Sequence, residues 1–296
     1  MWTNRISVMA LALAAPLAAQ PAAGKAEQGR LMVHPTRLVL DDARPSSRLD
    51  QKAFLQNRGR SGEVLLVNGG SERCTYRVSL VNMAMGVDGV VREVPKQPGE
   101  ITAENLVRYS PKQVTLEPNG TQTVRIQVRL PEGLPPGEYR SHLMFRAVPP
   151  PPPPVAETPQ ADAEAQGVSV KLTPIYGLTI PLIIRHGATQ ASTTISDLRL
   201  EPPSKPDDPA VLHLRVNRKG NRSVYGDLEV TWSPRAGLPR FVGKHNGIAI
   251  YDKVPHRDMT LGLQLPLAKD RGPGSLKIRY LDHESKLVLA EATLEI

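Results

Sequence analysis

Few residues in this sequence are of a type and spacing that could do chemistry. The histidines are His34, His142, His186, His213, His245, His256 and His283, and no two stand at the i, i+4 spacing of a helical zinc site. The single cysteine, Cys74, has no second thiol to pair with and reads as a small strand hydrophobe. No G-x-S-x-G, P-loop or G-x-G-x-x-G run is present. The adjacent acids Asp41-Asp42 and Asp207-Asp208 lie in turn-like contexts, where solvated charge is the ordinary role. Arg37 differs. It sits in the row Leu31, Val33, Pro35, Arg37, Val39 of a first strand over residues 31–40. A guanidinium in an apolar row is what a buried carboxylate-binding site needs; the plainer alternative is a strand-end arginine reaching solvent.

The elements that must position Arg37 read as strands. Proline is frequent, at 29 of 296 residues, and Val/Thr/Leu-rich runs alternate between Gly/Pro/Asn turns, which favours β structure over helix. Residues 62–68 form a short strand closed by Asn68-Gly69-Gly70-Ser71, and Thr75–Val81 reads as its hairpin partner. Further strands are expected at 90–94, 108–116, 121–130 and 139–148, with turns at Glu117-Pro118-Asn119-Gly120 and Leu134-Pro135-Pro136-Gly137. The pattern resumes with Thr194–Leu200, Val211–Asn217, Ser223–Trp232, Val242–Asp252, Thr260–Leu267, Ser275–Tyr280 and Leu287–Ile296, the size of an immunoglobulin-like domain. The fold class is therefore all-β, with two sandwiches and no tandem repeat. With no catalytic motif, an enzyme is not expected, and no cofactor or metal is implied.

Between the two strand-rich regions lie six prolines at 149–154 and a small, acidic stretch to 167. Polyproline cannot join a sheet, so this is either a linker between domains or a long loop within the first. After it, Val168, Val170, Leu172, Pro174, Tyr176, Leu178, Ile180, Leu182 and Ile184 fill every even position. One strand over 168–184 would span about 55 Å, against a usual length of about 5–6 residues. One sandwich cannot bury a row that long, so part of it must face something else.

Residues 1–24 read as an export signal: Arg5, an apolar run from Ile6 to Leu17, then small residues. The run is too short for a stable anchor, and no stable membrane insertion is expected. The net charge of +8 is dispersed among acids, so nucleic acid is not an expected partner and only a mild bias toward carboxylate-bearing partners follows.

Taken together, Pro35-Thr36-Arg37, Gly62–Asn68, Tyr109-Ser110-Pro111-Lys112, Leu116–Arg125, Leu134–Arg140, the long alternating strand and Arg185 resemble a family. It is that of the periplasmic (PapD-like) chaperones of the chaperone–usher pathway, which assemble pili and fimbriae. The likeness spans nearly all of the mature chain and implies two immunoglobulin-like domains in an L-shaped arrangement, at 25–187 and 188–296, with the proline-rich loop 149–167 inside the first. It implies a chaperone that lends strand 168–184, through Val168, Val170, Leu172, Tyr176, Leu178 and Ile180, to an incomplete subunit sandwich. The subunit then passes to an outer-membrane usher. The lent edge could also pair with a second copy. A basic pair should hold the subunit's terminal carboxylate. Arg37 matches the first member. The second, a lysine in the family, falls on Pro181, leaving Arg108 and Arg185 as substitutes. That departure and the long segment 41–61 mark a divergent branch. The competing reading is a structural or adhesive pilus-associated protein built from the same sandwiches.

Overall fold

A computed structural model describes residues 30–42, 61–149, 175–203, 205, 208–266 and 272–296. The export signal, most of segment 41–61 and residues 168–174 lie outside that set. The described chain is built from strands, with one short helix, α1 (Ala103–Leu106), that the alternation pattern does not anticipate.

The first sandwich has two sheets. One orders β1 (Leu31–His34), β3 (Ser61–Asn68), β9 (Thr121–Val128) and β7 (Val107–Ser110). The other orders β2 (Leu38–Asp41), β11 (Gly177–His186), β10 (Gly137–Val148), β4 (Cys74–Val81) and β8 (Gln113–Leu116). A separate hairpin pairs β5 (Met83–Met85) with β6 (Val91–Glu93). Val64, Leu66, Val124 and Ile126 from one sheet meet Tyr76, Val78, Leu143, Phe145 and Leu182 from the other in a single core.

Three sequence expectations are corrected. The first strand is two strands: the chain bends at Pro35–Arg37 and changes sheet, β1 pairing with β3 and β2 running parallel to β11. Proline has no N–H to give a ladder, so the break falls where the sheet can spare a donor. Residues 108–116 likewise split at Pro111 into β7 and β8, which belong to opposite sheets. And β3 is not the hairpin partner of β4: β3 pairs with β1 and β9, while β4 pairs with β10 and β8. Asn68 explains the crossing. It is fully buried, its amide donating to the carbonyls of Glu72 (2.7 Å) and Leu116 (3.2 Å) and its Oδ1 accepting from Gly70 N–H (3.0 Å). These bonds carry the chain from one sheet to the other where a tight turn would have folded it back.

The second sandwich faces the sheet β12 (Ala191–Glu201), β13 (Ala210–Gly220), β16 (His256–Leu263) against β15 (Arg240–Ile250), β14 (Val224–Pro234), β17 (Gly274–Asp282), β18 (Val288–Glu295). All seven strands expected from the alternation are present. Leu212 and Val216 pack against Leu228, Val230, Ile278 and Tyr280.

Candidate functional site

The pairing of β10 with β11 positions the site. Its register sets Glu138 opposite Arg185, Arg140 opposite Ile183, and His142 opposite Pro181. Alternation sends Leu143 and Phe145 into the first core, so Glu138, Arg140 and His142 share the other face. That face meets the second sandwich. Glu138 Oε2 accepts from Ser223 N–H (3.1 Å) and Ser223 Oγ (2.8 Å), Arg140 lies 3.6 Å from the Tyr251 ring centroid, and His142 Nε2 is 3.0 Å from Tyr251 Oη. Arg37, at the bend before β2, sits over the Tyr225 ring at 4.8 Å.

Three guanidiniums thus gather around one carboxylate. Arg140 donates to Glu138 Oε1 at 2.5 Å and Arg185 to Oε2 at 3.2 Å. Burial works against the charge of Glu138, but Arg140, Arg185 and the two donors of Ser223 outweigh it and hold its pKa down at about 2. Arg37 is different. Among the described residues no carboxylate lies within ion-pair distance of it. Burial, then repulsion from Arg185 and Arg140, brings its pKa down to about 10. Arg140 Nε is buried without a hydrogen-bond partner among the described residues. Among the described residues Glu138 is the carboxylate in ion-pair contact with these guanidiniums, while Asp252 attracts Arg140 and Glu284 attracts Arg37 from farther off. Arg37 is still left without a direct partner, which a second carboxylate would supply with charge-assisted hydrogen bonds.

Of the arginines singled out in the sequence, Arg37 and Arg185 come together here. Arg185 is already engaged with Glu138 and lies 3.5 Å from the Ser223 carbonyl. Arg108 does not join them: it is exposed on β7, in the other sheet, and lines a cleft with Pro35, Glu63 and Arg125. Sequence reasoning missed Arg140 and Glu138. The signal was the complement of the row Tyr139, Ser141, Leu143, Phe145: the intervening positions are Glu138, Arg140, His142 and Met144.

The apolar row also divides. Ile180, Leu182 and Ile184 are buried in the first core, so Ile180 is not free to be lent. Leu178 and Tyr176, the next two even positions, are 37 % and 62 % exposed. Among the described residues the strand runs from Gly177, and Val168, Val170 and Leu172 lie outside that set. β2 covers the second edge of β11 only over Leu182–Arg185; among the described residues no strand covers that edge at Gly177–Pro181.

His142 carries a testable consequence. Burial, with help from Arg140, lowers its pKa to about 4 from an ordinary 6.5. Between those values the unfolded chain binds a proton the folded one refuses, so stability rises with pH across that window and is lost as pH falls. The full difference is about 3 kcal/mol. Urea unfolding at half-unit pH steps should show this slope from pH 6.5 to 4.5, and His142→Gln should flatten it. A wild-type slope that persists in the variant would assign it elsewhere.

Among the described residues no group of three or more His, Cys, Asp or Glu side chains is placed to hold a metal, and no helix is long and apolar enough to cross a membrane.

A scan against models of known families finds no match, and a search of curated proteins finds none either. Among solved structures, the chain is similar to one from a chaperone–tip adhesin complex of CFA/I fimbriae biogenesis. The identity is 12 %, with 90 % of this chain and 97 % of that chain covered and a TM-score of 0.43. The CupB2 chaperone of Pseudomonas aeruginosa is similar at 12 % identity, covering 89 % and 98 %, with a TM-score of 0.40. A chain from the Salmonella enterica SafA pilin–SafB chaperone complex is similar at 14 % identity, covering 90 % and 96 %, also at 0.40. No residue's role transfers at such identities.

Proposed function

We propose that this protein is a periplasmic chaperone that caps pilus or fimbrial subunits by lending them a strand and delivers them to an outer-membrane usher. One observation carries the reading: β11 has exposed apolar residues, Leu178 with Tyr176 just before it, beside an edge that no strand covers among the described residues, and a guanidinium cluster at its other end. An extended edge supplies main-chain hydrogen bonds and alternate side chains to fill pockets in an incomplete sandwich. The cluster supplies the anchor for a terminal carboxylate, with Arg37 as the cation that has no ion-pair partner among the described residues and Arg140, on the neighbouring strand, serving in place of the family's lysine, whose position Pro181 takes. Val168, Val170 and Leu172 would continue the lent row beyond Leu178 and Tyr176. Each large side chain so buried contributes about 1.5–3 kcal/mol gross, and ordering of the strand offsets much of it. The lent residues act by binding, so no catalytic group is required. Export by the N-terminal signal would put the chain where subunits emerge.

Leu178→Asp should lower recovery of the cognate subunit at least tenfold in co-purification, while the chaperone keeps its cooperative unfolding transition. A charge on that row has no pocket to enter. Unchanged recovery in both Leu178→Asp and Arg37→Ala would sink the proposal, and so would the protein's presence in sheared surface fibres.

A further inference from the structure

Only residues 187–190 connect β11 to β12. The start of that connection is tied down, Asp42 accepting from Gly187 N–H (3.0 Å) and lying 2.5 Å from His186 Nδ1. Glu138 on Ser223 adds a contact between the sandwiches. A short connection, that cluster and the ion pair of the exposed Lys253 side chain with Glu100 still leave an axis about which the second body can turn, since an exposed pair holds little. A separate attachment removes that freedom, and the β5–β6 hairpin makes one.

The hairpin belongs by sequence to the first half of the chain, yet Met85 and Val91 pack against the core of the second sandwich. Strands of three residues each cannot hold a two-stranded ribbon together alone. Its turn is closed by Gly86 N–H on the Val90 carbonyl (3.0 Å), Gly89 N–H on the Gly86 carbonyl (2.9 Å) and Val90 N–H on Asp88 Oδ1 (2.9 Å). The turn then grips the other body. Asp258 N–H, on β16, donates to the Val87 carbonyl at 2.8 Å. The neighbouring Arg257 lies flat under Gly89: a Cβ built there would stand 2.1 Å from its Nε. Gly89 has a φ of +77°, so glycine is required twice, for the backbone and for the space. Arg257 is fixed from its far side by a bond from Nη1 to the Ala249 carbonyl (3.0 Å).

We propose that the β5–β6 hairpin is a clasp that fixes the angle between the two sandwiches, and that Gly89 and Arg257 are its positioning pair. For its consequence this rests on the function proposed above. Arg37 and Arg140 come from the first sandwich, while Tyr225 and Tyr251, over which they lie, come from the second. A fixed angle keeps those groups assembled before a carboxylate arrives, which lowers the cost of binding it.

The test uses the full chain without subunit. Cys74 is replaced by serine and spin labels are placed on cysteines substituted at the exposed Gln122 and Lys219, one in each sandwich. Electron–electron distance measurements should give one narrow distribution for the parent. Gly89→Val, which expels the Arg257 side chain, and Arg257→Met, which strains no backbone, should each at least double its width while the cooperative unfolding transition remains. Widths unchanged in both variants overturn the clasp. If Gly89→Val does not fold, Arg257→Met decides alone. A widened distribution in variants of a protein that binds no subunit would uphold the clasp and sink the chaperone reading, so the two fail separately.

Discussion

Replacing Arg37 with methionine should weaken subunit binding at least a hundredfold while leaving the free protein as stable as before, or more stable. The two halves of this result come from one cause. In the free protein the Arg37 guanidinium is half-buried, faces Arg185 and Arg140, and has no carboxylate within ion-pair distance among the described residues. Its pKa falls to about 10 because the fold disfavours the charged form, first through burial and then through repulsion. The sign follows from proton counting. From about pH 10 up to the ordinary arginine value the unfolded chain holds a proton that the folded chain has released, so stability rises with pH there. Below pH 10 both states are charged, and the folded state carries the whole penalty. That penalty is of order 1–3 kcal/mol, and stacking on Tyr225 returns about 0.5–1 of it. Methionine keeps most of the stem and removes the charge, so a gain of about 1 kcal/mol in urea unfolding is expected.

Binding reverses the balance. A terminal carboxylate brought to Arg37 turns a charge that has no ion-pair partner among the described residues into a hydrogen-bonded pair. Truncating one partner of such a pair costs about 2–5 kcal/mol, and a hundredfold in Kd is about 2.7. Titration calorimetry with the cognate subunit, beside urea unfolding of each free protein, separates the roles. Binding lost together with more than 2 kcal/mol of stability would make Arg37 a structural residue. Binding retained would remove it from the site.

How much of this could be read beforehand depends on the kind of information a strand carries. Alternation with period two says which face of a strand is buried, and it located the seven strands of the second sandwich to within a few residues. It does not say which strand lies beside it. Asn68-Gly69-Gly70-Ser71 has the composition of a hairpin turn, but the Asn68 side chain is bonded to the Leu116 carbonyl, 48 positions away. No local pattern contains that partner. The same limit applied to the site. Arg37 was conspicuous because a charge broke an apolar row. Arg140 was not, because its neighbours in the row, Glu138 and His142, are also polar and no apolar pattern is broken there. Only the approach of Ser223 and Tyr251 from the second sandwich makes that face an interior. The long row at 168–184 was legible as an excess of apolar surface; where it divides, between Leu178 and Ile180, depends on how far the first core extends.

Glu138→Gln should cost the free protein about 3–5 kcal/mol, the range for leaving buried charges without their counter-ion. The Glu138 side chain has no exposed surface and those of Arg140 and Arg185 have 9 % and 13 %. Glutamine preserves the shape and can still accept from Ser223, so the loss isolates the charge. Acid titration gives an independent check. With a folded pKa of about 2 against an ordinary 4.5, the ionised Glu138 contributes stability that is full above about pH 4.5 and is lost as pH falls through about 2. The parent should therefore destabilise steeply over that range and Glu138→Gln should not, once the His142 contribution is matched by measuring both at the same pH. The sharper test is the pair. If Arg37, Arg140 and Arg185 share one carboxylate, removing Arg37 must relieve part of what its loss leaves behind. Arg37→Met in the Glu138→Gln background should recover more stability than Arg37→Met does alone, by about 1 kcal/mol or more in a double-mutant cycle. Strict additivity would mean that Arg37 does not feel the cluster, and the surplus charge on which the carboxylate site depends would not exist.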